Sequence, residues 1–128
     1  MAQGTTYSGG LATGSGRRST NPSDNYRDFI AIEYSLSEKI AILYVAGEVQ
    51  VGNPGIEAVL NYAIPQGTNP AILLLDLALI QRPGVWPDLQ TWVSAKYMRV
   101  AMKPAEYDEV QIVNQDLGDL TLKIIHLP

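Results

Sequence analysis

The chain of 128 residues contains no cysteine, a single histidine and a single phenylalanine. Without thiols, disulfide frameworks, thiolate zinc sites and cysteine nucleophiles are excluded together, while the compartment stays open because such a chain suits any redox condition. Any Ser-His-Asp triad or imidazole metal cluster within one chain would have to include His126. Long apolar runs are also missing. The longest, AILLLDLALI from Ala71 to Ile80, is interrupted by Asp76 and reaches about half the length of a membrane-spanning helix. Residues 2–25 are mostly small and polar and lack the apolar centre of a secretory signal. The expectation is a chain without a signal peptide or transmembrane segment, located in the cytoplasm or in a virion.

What is present suits one soluble globular domain: 46% hydrophobic and 17% charged residues, in a length that allows roughly two-thirds of the unfolded surface to be buried. Charge is unevenly spread. Residues 1–27 carry Arg17, Arg18 and Arg27 against Asp24, about +2, which leaves the remainder at about −6 of a net −4. The same 27 residues hold five of the eleven glycines, four serines and four threonines, with scattered apolar groups at Tyr7, Leu11 and Tyr26. Such a segment buries too little area to offset its own ordering entropy and reads as an extended arm, residues 1–27, before a compact domain at 28–128.

From Asp28 onward, DFIAIEYS places Ile30, Ile32 and Tyr34 on one face, and after SLSEK the run KIAILYVAGEV is β-favouring and almost continuously apolar. This predicts a hairpin whose second strand is central and covered on both faces. Asn53 followed by Pro54 has the form of a helix start, and Ile56, Val59, Leu60 and Ala63 recur at helical spacing, which predicts a helix over about 54–63. AILLLDLAL predicts a buried strand. Leu89, Trp92, Val93, Lys96, Tyr97, Val100 and Ala101 fall on one helical stripe, with Asp88 at its start and Arg99 and Lys103 near its end, predicting a second helix over about 88–103. EVQIVN and DLTLKIIHL around QDLG predict a closing strand pair. The expected fold class is α/β or α+β, a mixed sheet in the order ββαβαββ with parallel central strands.

IAILYVAGEV at 40–49, a short helix, then AILLLDL at 71–77 with a loop and a longer helix resemble the STAS family, the anti-sigma-factor-antagonist and sulphate-transporter domain, over residues 28–114. The resemblance implies a regulatory protein-binding module. The family's regulatory serine follows the Leu-Asp-Leu strand, and ALIQRPGVWP has no serine or threonine there. The implied module therefore lacks phosphorylation switching.

Several residues are candidates for chemistry or binding. His126 shares a strand face with Leu120, Leu122 and Ile124 and reads as a packed or edge histidine rather than a catalytic one. Asp76, the single carboxylate in an apolar strand, is either a general base raised by burial or an acceptor of backbone hydrogen bonds. Arg82 and Trp86, on a loop stiffened by Pro83 and Pro87, have the composition of a binding hot spot, or else Trp86 caps the core beside Trp92. Lys96, Arg99 and Lys103 read as a solvated helix face rather than a phosphate-binding one. GGLATGS lacks the lysine and the preceding strand of a phosphate loop.

No catalytic set emerges. The expected function is a non-enzymatic structural subunit of a large assembly, such as a virion accessory, cement or connector protein, whose arm laces onto neighbouring subunits. Its partners would be copies of itself and another protein of the assembly, not nucleic acid or membrane, with no cofactor or metal. Partner contacts are expected at Tyr7, Leu11, Arg17, Arg18, Tyr26, Arg82 and Trp86. The alternatives are a STAS-like regulatory module and a small ligand-binding domain or enzyme using Asp76.

Overall fold

The computed structural model describes residues 24–128. Seven strands follow one another in the chain: β1 (Tyr26–Ser35), β2 (Ala41–Val51), β3 (Ile56–Tyr62), β4 (Ile72–Gln81), β5 (Thr91–Ala101), β6 (Glu109–Val113) and β7 (Leu120–Leu127). They form one sheet in the order β3-β4-β6-β7-β1-β2-β5, and the two end strands, β3 and β5, approach each other, so the sheet curls into a nearly closed barrel. Its pairs are antiparallel except β1 with β7 and β4 with β6.

This all-β architecture overturns the α/β or α+β expectation, since no α-helix occurs among the described residues. The segment read as a helix over 54–63 is β3. Its alternation puts Ala58 and Leu60 in the core and Glu57 and Asn61 outside, and the helical spacing of Ile56, Val59, Leu60 and Ala63 is incidental. Asn53 does what an N-cap does, accepting the Gly55 amide at 2.8 Å, but in a turn that enters a strand. The segment read as a helix over 88–103 is β5. Ala95, absent from the helical stripe, is 1% exposed, whereas Lys96 and Val100, which belong to that stripe, are exposed. The two hairpins the sequence suggests, β1 with β2 and β6 with β7, form, and β3 with β4 is a third sequence-adjacent antiparallel pair.

The interior is packed with side chains from alternate positions. Leu43, Val45 and Val49 of β2, Leu73 and Leu75 of β4, and Val110 and Ile112 of β6 are the largest fully buried groups. Near its start β1 carries a bulge between Arg27 and Ile30, with Asp28 at φ 58°. The extra residue turns Phe29 onto Gly47, whose missing side chain leaves the space the ring occupies, and sets it edge-on to Tyr26 at 5.8 Å between centroids. Tyr26 in turn donates to the Gly118 carbonyl at 2.6 Å, and Asn25 donates to the Leu117 carbonyl at 3.1 Å, which ties the start of β1 to the β6–β7 turn.

Candidate interaction surface

Strand register fixes which side chains share the outer face of β7, β1, β2 and β5. One cross-strand row runs Ile125, Ile32, Tyr44, Met98, and the next runs Leu127, Tyr34, Ile42, Val100. All eight are apolar or aromatic. Ile30 and Ala46 begin a third row, which Lys96 ends. Met98 is 66% exposed and Val100 59%, while Tyr34, Ile125 and Leu127 are also well exposed. Beyond the second row, Leu36 and Met102 extend the apolar surface and are exposed. Towards the opposite end the face becomes polar, with Arg27 paired to Glu48 at 2.7 Å and stacked on Trp92 at 4.2 Å, and with Ser94 beside them.

The run KIAILYVAGEV thus has two apolar sides for different reasons. Leu43 and Val45 fill the barrel, whereas Ile42 and Tyr44 point outward, where nothing within the described residues covers them fully. Four strands about 4.8 Å apart, with two wholly apolar rows about 6.8 Å apart, give an apolar footprint of roughly 260 Å², which Ile30, Ala46, Leu36 and Met102 extend. A contiguous apolar patch of a few hundred Å² matches the largest patch of a typical monomer, and such patches are often functional. The apolar face does not encircle the barrel. On β3 and β6 the outward positions include Glu57, Asn61, Glu109 and Gln111. Among the described residues no helix is long and apolar enough to cross a membrane.

One end of the barrel holds a polar cluster. Glu33, inward on β1 and 5% exposed, accepts the Ala105 amide at 2.6 Å and lies 3.7 Å from Nε2 of His126. The same nitrogen is 3.2 Å from the Tyr107 carbonyl. Both neighbours are acceptors, so the imidazole carries its proton on Nε2 and donates. His126 therefore helps hold the 102–108 loop over the barrel end, in keeping with the edge-histidine reading. Arg99 faces inward on β5, its guanidinium 5.0 Å from the Tyr62 ring, and so bridges the two strands that no backbone ladder joins. A side-chain hydrogen bond with Tyr97 is the main influence raising the pKa of Arg99 against the opposing effect of its burial. Burial first, then Glu106, raises that of Tyr107.

The other sequence candidates are dispersed. Tyr26 is 4% exposed, and its phenol is pushed well above the ordinary range by burial and then by Asp119, so it belongs to the core and presents no partner surface. Arg82 and Trp86 do meet, at 5.0 Å, but they serve their own loop. The indole donates to the Arg82 carbonyl at 3.0 Å and lies on Gly55, where a side chain would collide with it, while Arg82 donates to the Pro54 carbonyl at 3.1 Å. Asp76 lies on the outward side of β4 and is exposed, so the burial that would make it a general base is absent. It borders a shallow depression of about 330 Å³ with Asn114 and Asp119. Lys96 points outward and Arg99 inward, so the Lys96, Arg99, Lys103 stripe does not exist on a strand. Tyr7, Leu11, Arg17 and Arg18 lie outside the described residues, as does the arm up to residue 23.

The outer apolar face is what sequence reasoning missed. Its signal was there: β-favouring apolar residues in both phases of the alternation along β2 and β5. Compared with known proteins, the chain matches no family model, no curated protein and no solved structure.

Proposed function

We propose that the chain is a non-enzymatic structural subunit of a larger homo-oligomeric or supramolecular assembly, the class that includes virion accessory and connector proteins. The observation that carries this reading is the outward apolar face shared by β7, β1, β2 and β5, which has the make-up of an interface core: aromatic and aliphatic groups without charge, bordered by the ion-paired Arg27 and Glu48. The chain's charge adds to it, since residues 1–23, with Arg17 and Arg18 and no acidic group, complement the acidic remainder and can engage that of a neighbour. The regulatory-module reading rests on the STAS resemblance alone. The test is the native mass of the full chain together with limited proteolysis of residues 1–23. A defined oligomer in which those residues are protected is expected; a monomer at high concentration with the segment freely cleaved refutes the reading.

A further inference from the structure

Resting on that assembly reading, we propose that the occupant of the outer face of β7, β1, β2 and β5 is the same face of a second copy, in a twofold pair of sheets. The argument starts from area. Taken from Gln50 and Trp92 to Ser35 and Ala101, four strands of eight to ten residues present a face of roughly 600 Å² by strand spacing and rise, at the lower end of what each partner of a stable complex buries. Leu36 and Met102 lengthen the apolar part at one end. Outward side chains of two sheets interdigitate when the sheets lie about 10 Å apart, and a strip two apolar rows deep supplies the core of such a sandwich.

Three other occupants fit less well. Residues 1–23 offer only Tyr7 and Leu11 as large apolar groups apart from Met1, too few for two four-residue rows. A small apolar ligand needs a concave site, and two depressions on the described surface are lined by other residues, one by Asp108, Glu109, Lys123 and His126 and one by Asp76, Asn114 and Asp119. An anionic lipid surface would be repelled by residues 28–128, with a charge of about −6. A second copy is self-complementary by symmetry, because a twofold axis near Ile32 and Tyr44 lays the same uncharged rows against each other.

The experiment is sedimentation equilibrium of the full chain from about 1 to about 100 µM, a range in which a micromolar Kd is read directly. It is run alongside Met98→Lys, Val100→Lys and, as a control on β4 across the barrel, Asp76→Lys. Positions 98, 100 and 76 are exposed, and circular dichroism and Tm check that each variant keeps its fold. The expected result is that Met98→Lys and Val100→Lys each weaken self-association by at least about 100-fold, since a charge would be buried without a partner, while Asp76→Lys leaves it unchanged. If the full chain associates and both folded face variants associate equally, the face inference fails and the assembly reading survives. A monomeric full chain overturns the pairing outright, and in that case binding to phosphatidylcholine and phosphatidylglycerol vesicles would identify a lipid occupant instead.

Discussion

Replacing Gly47 with alanine tests the packing logic at the start of β1 with one carbon atom. A Cβ at position 47 would fall within the Phe29 ring, which the bulge at Asp28 has turned onto the glycine, so the ring has to leave. Phe29 is only partly buried, so the lost burial is about half of a full side chain's, roughly 1 kcal/mol. The edge-on contact with Tyr26 is lost as well, about 1 kcal/mol more. Alanine regains about 0.5 kcal/mol over glycine in a strand through its smaller backbone entropy cost. The net expectation is a destabilisation of about 1.5 kcal/mol, which for a chain of this size lowers Tm by roughly 5–8 °C. Urea and thermal unfolding of Gly47→Ala, Phe29→Ala and the double variant measure it. If the ring is the cause, the double variant is no less stable than Phe29→Ala alone, because the two changes remove the same contact. An unchanged or raised Tm in Gly47→Ala refutes the reasoning.

Three further outcomes are expected. The Tyr26 phenol is pushed up by burial, so its protonated form is favoured in the folded state. Its contribution is complete below the ordinary pKa of about 10 and is lost as pH rises above that value. Urea midpoints measured from neutral to alkaline pH are expected to fall more steeply for the native chain than for Tyr26→Phe, which starts about 1 kcal/mol lower for want of the bond to Gly118; Tyr107, raised in the same direction, keeps part of the slope in both. Glu33→Ala leaves the Ala105 amide without its acceptor and is expected to cost about 2–3 kcal/mol in urea unfolding, with faster hydrogen exchange at Ala105, whereas Glu33→Gln, which keeps an acceptor oxygen, costs less. Ala105 has φ 58°, where an L side chain is strained, so Ala105→Gly is expected to leave stability unchanged or to raise it by about 0.5 kcal/mol; a loss of about 1 kcal/mol, usual for this change elsewhere, refutes the strain.

How far the fold was legible depends on where apolar residues sit. β1, β4 and the closing pair alternate or run apolar between breakers, and two of the three sequence-adjacent antiparallel pairs, β1 with β2 and β6 with β7, were visible in that pattern, whereas β3 with β4 was not. β5 was not. Its outward positions include Trp92, Met98 and Val100, so the apolar residues occupy both faces and the period of two disappears; what remains imitates a helical stripe. In β3 the Asn53 turn used the chemistry of a helix cap, and four apolar residues fell at helical spacing without forming a helix. The misreading of β5 and the candidate interface have one cause, an apolar outer wall that the chain itself does not cover.

By itself the sequence determined the exclusions, the single-domain size, the opposed charges of its two parts and the strongest strands, because these depend on composition and on local order. Tertiary structure alone decided that β3 and β5 are strands and that the sheet curls until they meet. It decided too that Tyr26 is core and Asp76 is surface, and that Ile32, Tyr44, Met98 and Ile125 stand in one row. Those four residues come from four strands of a sheet, and only cross-strand register, fixed by non-local hydrogen bonding and by which side chains fill the barrel, brings them onto one face.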